Sequence, residues 1–465
     1  MSKSVKITCG ILAALTLVGF GAWVFQQVYG LGVTGMSNGT SWGLYICMFM
    51  FFVGLSAGGL IVASSASVFH IAEYKKVALP AIILSTACIT VAGMFVLADL
   101  GSIVRIWRLF TGPNLTSPLV WDITVITIYL VINVVYLVNM VSSKPGAAHR
   151  VEITSRFALP VAILVHTVTA WIFGLQIGRE WYSSIMGPLF VASAMDSGLA
   201  LLLLVLMGLR RKGWFDTSDK LISSLSGLMI TCVAVDAYMV GCEIVTAAYP
   251  MDASALQALN EMFVGATAPF FWCEVLCGIV IPLALLLFAK NRRNMKLVAF
   301  SSVLIVIGVF CKRVWLLFTS FIHPNIAYGP GVSSGSYTAR QSTGDQIWAT
   351  VSNYTPQLPE LLIVVGIIAF GALAFIVIAF KLLPLYRKAQ GEDAEGRAAK
   401  IPYAPAANMS GARGNRASVT AKTHEGAVSV AMESCDAAFV ANVAQADAAP
   451  AAIKSQGTAS ATARA

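Results

Sequence analysis

The chain has 465 residues, of which 57% are hydrophobic and only 11% are charged, and its formal net charge is +9. A soluble domain carries about 25% charged residues, so this composition excludes an ordinary soluble protein and predicts a polytopic membrane protein. The excess of Lys and Arg is then better explained by the topology of the loops than by nucleic-acid binding.

Ten apolar runs are each long enough to cross a bilayer, which takes about 20 mainly apolar residues. The first run follows Lys3 and Lys6. It exceeds the about 7–15 apolar residues of a signal peptide and lacks a convincing small-residue cleavage site, so we expect a retained helix. The sequence predicts an all-α membrane protein of about ten transmembrane helices, at approximately 8–29, 42–71, 79–99, 120–142, 157–177, 187–209, 221–247, 268–290, 297–322 and 358–383.

After the tenth run the composition shifts to Ala, Gly, Ser and scattered charges. Such a segment cannot bury enough apolar surface to fold. We therefore expect a membrane domain at 1–388 and a disordered, Ala-rich cytoplasmic tail at 389–465.

The Lys and Arg residues of the connections gather on one side of the predicted membrane. By the positive-inside rule both termini are then cytoplasmic, as expected of a multi-pass protein of the inner cell membrane. The connections that face outward are 30–41, 100–119, 178–186, 248–267 and 323–357. The last of these is long enough to be a binding or docking loop.

The cysteines and histidines argue against a metal centre held by this chain. The nine cysteines lack the clustered spacing that holds zinc or an iron–sulfur cluster. Of the five histidines, only His166 is predicted at mid-membrane depth, whereas His70 lies at a helix end. Because a bis-histidine haem needs paired ligands on facing helices, we expect neither haem nor metal.

Ionisable residues concentrate in the predicted outer half of the bundle. Charges at that depth face the protein interior, where they pair with each other or line a wet cavity. For any single residue, a buried ion pair that fixes helix register is the alternative. Four of these residues form a candidate proton relay: Asp196, Glu243, Glu274 and Arg313.

Small residues occur together in two helices, at 53–59 and at 193–198. Such segments let helix backbones approach closely. Both helices are expected to run inward from the outer side, and they are four helices apart. A repeat of helices 2–5 in helices 6–9 would explain this spacing.

Several sequence blocks resemble the NrfD/PsrC family, the membrane subunits of polysulfide-reductase-like complexes. The blocks are WGLYICMFMFFVGLSAGG, DLGSIVRIWRLFTGPNLTSPLVWD, HTVTAWIFGLQIGREWYSSIMGPLFVASAMDSG, FWCEVLCGIVIP and YTPQLPELLIV. They occur in the family's order and cover nearly the whole chain up to Leu385. The family's eight-helix core would correspond to helices 2–9, as two four-helix bundles, with helices 1 and 10 flanking them.

This resemblance implies a quinone-reactive membrane subunit without haem. Such a subunit docks a ferredoxin-like [4Fe-4S] subunit, and a molybdopterin oxidoreductase or a multihaem cytochrome completes the electron path. Menaquinone or ubiquinone would bind near the outer face as an exchangeable substrate. One branch of the family carries Asn and His near the start of helix 2, where Cys47–Met50 are apolar here. A contact to a quinone carbonyl from that helix would then come from Tyr45 or Trp42; the alternative is that the quinone site lies elsewhere.

A quinone site must bind an apolar ring and connect its carbonyl oxygens to a proton donor or acceptor. His166 suits proton exchange because its unperturbed pKa is about 6.5, although a satisfied interior histidine is the alternative. The other catalytic candidates are Asp99 and Asp122. For the tryptophans, an interfacial aromatic belt is the alternative explanation. The candidates for quinone binding are Tyr45, Arg105, Trp107, Trp121 and Arg179.

Two other classes of protein share part of this pattern. A secondary transporter also buries charges, but it commonly shows inverted repeats and interrupted helices near mid-membrane. A passive membrane anchor needs no intramembrane charge. The sequence favours the quinone-reactive subunit over both.

Overall fold

The computed structural model describes residues 3–37, 40–68, 72–176, 179, 181–323 and 354–398. These residues contain no β-strand, and ten of their helices are long and apolar enough to cross a membrane. The prediction of an all-α membrane protein with ten spans is confirmed. The helices are α1 Lys3–Tyr29, α2 Leu44–Val68, α3 Ala78–Asp99, α4 Pro118–Met140, α5 Ala147–Gly174, α6 Met186–Arg211, α7 Asp219–Ala248, α8 Ala268–Leu286, α9 Met295–Ile322 and α10 Leu358–Ala398.

Two helices extend further than their apolar runs. Helix α5 begins at Ala147, after a left-handed Gly146 with φ of 79°, and its first turns carry charged residues that a hydropathy pattern leaves out. Helix α10 continues to Ala398, beyond residue 388. Residues 399–465 lie outside the described part of the chain, so the disordered tail stays a prediction.

Capping side chains fix where several helices begin. The Ser218 hydroxyl accepts the Leu221 N–H at 3.2 Å at the start of α7, and the Asn294 side chain accepts the Lys296 N–H at 3.1 Å at the start of α9. The short helix Ala253–Val264 in the connection between α7 and α8 is capped by Asp252. Each cap satisfies an N–H group that the first helical turn leaves unpaired.

Helix α2 lies at the centre of the fold and packs against α3, α5, α6 and α9. Gly58 of α2 faces Gly198 of α6 so closely that a Cβ atom on either would overlap the backbone of the other. Gly59 meets the Ala81 carbonyl of α3 in the same way. The prediction of close helix contact at the two small-residue segments is confirmed, and the segments contact each other.

The remaining helices complete two sets of contacts. Helices α3 and α5 both pack on α4, while α9 packs on α6 and α8. Helices α1 and α10 pair with each other at Gly19 and Gly366, and α10 also packs on α3. The flanking position of α1 and α10 agrees with the predicted arrangement; the division of α2–α9 into two four-helix bundles stays a prediction.

Helix α8 contains a π-helical segment, Glu274–Val280, which the sequence did not indicate. Pro282 follows this segment. A proline lacks an N–H and crowds the carbonyl of the residue four positions before it, here Gly278. Wider π turns are one way in which a helix accommodates such a residue, and they occur often at functional sites. The segment begins at one of the predicted relay residues, Glu274.

Candidate functional site

Six ionisable side chains are buried between α5 and α9. We call them the buried charge layer. Each is 3% exposed or less. Because a charge in this position is costly, such residues mark functional sites by default. The members of the layer are His166 of α5, Asp196 of α6, Asp236 of α7, Glu274 of α8, and Lys312 and Arg313 of α9.

Lys312 joins three helices in this layer. Its Nζ atom lies 2.9 and 2.8 Å from the two carboxylate oxygens of Asp236 and 3.1 Å from Oε1 of Glu274. The other oxygen of Glu274 accepts the indole N–H of Trp315 at 2.5 Å. One cation thus faces two carboxylates, an arrangement that can hold or release a proton without leaving every charge unpaired.

Arg313 points toward α6, away from this cluster. Its Nη2 atom donates to the Ser193 hydroxyl at 3.0 Å, and its guanidinium carbon lies 4.2 Å from the centre of the Phe190 ring. Its Nε and Nη1 atoms, and Oδ1 of Asp196, are buried without a hydrogen-bond partner among the described residues. Unsatisfied buried polar atoms are rare in native proteins, so this part of the layer calls for a functional explanation.

His166 connects the layer to the central helix. Its Nδ1 atom lies 2.6 Å from the Ala162 carbonyl oxygen, and its Nε2 atom lies 2.9 Å from the Val53 carbonyl oxygen of α2. A neutral imidazole has one N–H and can donate to only one of these oxygens, whereas the imidazolium can donate to both. The two protonation states therefore differ in how α5 is bonded to α2.

An aromatic cluster lies where α2 begins and where α5 and α9 end. The rings of Trp42 and Trp181 are stacked with 6.2 Å between centroids, and Phe173 and Phe321 each meet Trp181 edge-on at 5.4 Å. Arg179 lies 4.7 Å from the Phe321 ring and donates to the Ser320 carbonyl at 3.2 Å. Burial lowers the pKa of the Arg179 guanidinium, which stays charged at neutral pH because arginine starts above about 12.

A cavity of about 100 Å³ lies behind Trp181, between α6, α7, α9 and the helix Ala253–Val264. Its lining is mostly apolar, but Glu243 and Trp315 also line it. The indole N–H of Trp181 is buried without a hydrogen-bond partner among the described residues, and Glu243 accepts a hydrogen bond from the Ser183 hydroxyl. Through Trp315 and Glu274 the cavity adjoins the buried charge layer.

The candidates on α2 to α4 are mostly engaged with neighbours. Asp122 is buried and accepts the Thr169 hydroxyl of α5 at 2.5 Å. The Tyr45 hydroxyl donates to the Gln26 side chain at 2.6 Å. Asp99 is half-buried, and its Oδ1 atom has no hydrogen-bond partner within the described ranges.

Three candidates in or near the connection between α3 and α4 lie on the surface. Arg105 is exposed, Trp107 is 56% exposed, and Trp121 is 36% exposed and donates its indole N–H to the Leu115 carbonyl at 2.6 Å. None of them lines the cavity behind Trp181. Their role in quinone binding stays a prediction.

Glu360 is a buried carboxylate that was not among the candidates. It accepts the backbone N–H groups of Gly35 and Gln357 at 2.7 and 2.9 Å and the Tyr354 hydroxyl at 2.7 Å. The Tyr354 oxygen in turn accepts the Leu44 N–H at 2.8 Å. Burial and the bond to Glu360 raise the pKa of the Tyr354 hydroxyl. This network fixes the start of α10 to the start of α2.

Lys312 and Asp236 of the buried charge layer and Trp181 of the cavity wall were not selected as site candidates from the sequence. The sequence does carry a signal for Lys312, because Lys312 and Arg313 are two adjacent cations inside an apolar run. No group of three His, Cys, Asp or Glu side chains in the described ranges is placed to hold a metal. His70, Gly178, Glu180 and most of the connection 323–357 lie outside these ranges.

The ten apolar helices and their buried acids and bases define a multi-pass integral membrane protein with a charged interior. Residues 32–325 match the model of the NrfD polysulphide reductase family. The chain belongs to this family, and the resemblance seen in the sequence blocks is confirmed.

Three relatives show how such chains are named. A Halobacterium salinarum protein, provisionally named as a membrane subunit of dimethyl sulfoxide reductase, is 36% identical over 82% of this chain and 91% of its own length. An Archaeoglobus fulgidus protein, named Hdr-like menaquinol oxidoreductase integral membrane subunit, is 30% identical over 79% of this chain and 90% of its own. A selenate reductase subunit of Mesobacillus selenatarsenatis is 23% identical over 82% of this chain and 95% of its own length. All three names describe subunits of oxidoreductases, and the first two specify a membrane subunit.

Proposed function

We propose that this chain is the quinone-reactive membrane subunit of a respiratory oxidoreductase complex, in which it exchanges electrons with a docked ferredoxin-like [4Fe-4S] subunit. The observation that carries this proposal is the cavity behind Trp181, because it joins an apolar, aromatic-walled space to a buried layer of acids and bases. Family membership and the menaquinol oxidoreductase name of one relative support it.

The proposal assigns complementary roles to the residues around this cavity. A quinone head group needs an apolar slot and hydrogen-bond donors for its carbonyl oxygens, which the unpaired Trp181 indole N–H supplies. Glu243 exchanges a proton with the bound ring. Glu274 and Lys312 continue the proton route inward, and positioned groups of this kind are the usual general acids and bases.

His166 and the candidates around it extend the proposal to α2–α5. His166 exchanges a proton at the inner end of the route through Asp196 and Arg313. As a neutral imidazole it donates to one of its two carbonyl contacts, and as an imidazolium it donates to both. Asp99 and Asp122 are proposed as further proton-exchanging groups. Tyr45, Arg105, Trp107, Trp121 and Arg179 are proposed to line the approach of the quinone from the bilayer.

The partner subunit is proposed to dock on the outer connections. The segment 101–115 exposes Val104, Trp107, Phe110 and Leu115, which are 78%, 56%, 76% and 72% exposed. An apolar patch of this kind on a polar rim is typical of a protein interface. We propose that the catalytic subunit beyond it is a molybdopterin oxidoreductase or a multihaem cytochrome, that the termini are cytoplasmic and that the protein lies in the inner membrane.

The proposal is tested by isolating the tagged chain from its own membranes. We expect an iron–sulfur subunit to copurify, and menaquinol to reduce its clusters in a reaction that a quinoline N-oxide inhibitor blocks. Fluorescence quenching of the inhibitor then reports binding to Glu243→Gln, His166→Ala and Asp99→Ala variants, with Lys381→Met as the matched control on exposed α10 surface.

Each outcome of this experiment points to one interpretation. Loss of binding in Glu243→Gln supports the cavity behind Trp181, whereas loss only in His166→Ala or Asp99→Ala moves the head group to the α2–α5 side. Copurification without saturable quinone binding would favour a passive anchor. A chain that isolates alone and binds no quinone would contradict the proposal and favour a transporter.

A further inference from the structure

A second and larger cavity lies at the end of the bundle where α7 begins and α8 ends. It measures about 690 Å³, and its walls are the first turns of α7 and the short helix Asn291–Arg293. Asp236 of the buried charge layer is nine residues beyond Gly227, the last lining residue of α7, so about 14 Å of helix separates the two places. The quinone proposal does not use this cavity.

The cavity is bounded by positive charge. Arg292 and Arg293 both line it, and neither forms an ion pair within the described residues. The Arg292 guanidinium lies across Gly227, where an added Cβ atom would be 3.7 Å from its Cζ atom. The missing side chain at Gly227 thus leaves the guanidinium room to lie flat against α7.

The acidic residue in the wall is already neutralised. Asp219 forms an ion pair with Arg210, while Lys220 pairs with Glu73 at 3.0 Å. The two arginines are therefore left as an unbalanced positive charge. The capped start of α7, a helix of 30 residues, adds the positive end of its dipole on the same side.

Exposed apolar side chains shortly precede these arginines in the chain. Leu287 and Phe288, at the end of α8, are 63% and 64% exposed. In a membrane protein, such side chains at a helix end face the acyl region of the bilayer next to the head groups. The head group and the acyl chain of one lipid would therefore contact residues of the same connection.

We propose that this cavity binds the phosphate of an anionic phospholipid, with its acyl chains against Leu287 and Phe288. Basic pockets between transmembrane helices are known to take such head groups. A free phosphate ion would use Arg292 and Arg293 but would gain nothing from the two apolar side chains. Their exposure in the same connection as the arginines is the reason for choosing the lipid.

The proposal is tested with the full chain in detergent by native mass spectrometry, with equal amounts of phosphatidylglycerol and phosphatidylcholine added. We expect phosphatidylglycerol to be retained selectively. In the double variant R292Q/R293Q its affinity should fall about thirtyfold, since each basic residue near the surface contributes about 1 kcal/mol. The matched control R211Q/K212Q removes two exposed charges outside the cavity and should change affinity less than threefold.

Two further results decide the outcome. In L287S/F288S, phosphatidylglycerol should be lost while the two arginines remain, and equal binding of inorganic phosphate by this variant and the parent chain would support the division of roles. Equal retention of the two lipids, or an equal loss in R292Q/R293Q and R211Q/K212Q, would overturn the proposal. Phosphate that binds the parent chain as tightly as phosphatidylglycerol does would also overturn it.

Discussion

The ammonium nitrogen of Lys312 lies 2.8 Å from Oδ2 of Asp236, and both side chains are buried between α7 and α9. Glu274 of α8 shares the same cation at 3.1 Å. An ion pair at this depth is weak evidence for stability as such, because burying both charges is costly. Removal of one partner is strongly destabilising, because the other charge is then left buried without compensation.

Lys312→Met should therefore destabilise the protein by about 3–5 kcal/mol, since it leaves two carboxylates without their cation. Denaturant unfolding in detergent measures the change. Lys381→Met, the same substitution at an exposed position of α10, serves as the control and should be close to neutral. The double variant D236N/K312M should recover part of the loss. A Lys312→Met protein as stable as the parent chain would show that the cluster does not hold these helices together.

Trp181→Phe tests the indole donor of the cavity. Phenylalanine keeps the aromatic contacts with Trp42 and Phe173 but removes the N–H. We expect quinone-analogue binding to weaken about fivefold, because one net hydrogen bond contributes about 1 kcal/mol. Trp272→Phe is the matched control, as the Trp272 N–H donates to the Phe263 carbonyl at 3.0 Å outside the cavity lining. Equal binding by both variants would remove Trp181 from the proposed site.

Gly198→Ala tests the contact between α2 and α6. The added methyl group would overlap the backbone at Gly58, and overpacking of this kind costs about 1–3 kcal/mol. Thermal unfolding in detergent should show the loss. Gly241→Ala provides the control, because the space around its Cβ position on α7 is open. If both variants unfold alike, the two central helices do not depend on this close approach.

Tyr354→Phe should make the protein less sensitive to alkali. In the folded chain the pKa of the Tyr354 hydroxyl is raised by burial and by Glu360, whereas an unfolded tyrosine titrates at about 10. Above that pH the unfolded state loses the proton and the folded state keeps it, so stability falls as the pH rises. Unfolding midpoints measured from neutral pH to beyond about 10 should fall less steeply in Tyr354→Phe than in the parent chain. Tyr249→Phe, at an 86% exposed position, should follow the parent curve.

The sequence predicted the parts of this fold that depend on local pattern. The ten spans follow from apolar run length, and the contact at Gly58 and Gly198 follows from small residues that favour close helix approach. The depth of Asp196, Glu274 and Arg313 could also be estimated from their distance to the helix ends. These features are properties of one helix at a time.

Partners across helices could not be predicted in this way. That Lys312 faces Asp236 and Glu274, while its neighbour Arg313 faces Ser193, depends on how α9 is rotated against α6, α7 and α8. The π segment in α8 also changes that rotation, and it left no hydropathy signal. The role of Glu360 was missed because one of its partners, Gly35, is 325 residues away in the chain.

The pairing of α1 with α10 has a consequence for how the chain is assembled. Gly19 and Gly366 are in contact although one lies in the first span and the other in the last. During synthesis α1 enters the bilayer long before its partner exists, so the ribosome must complete the eight intervening spans before the pair can close. A chain that stops before Leu358 would leave the α1 surface around Gly19 facing lipid instead of α10.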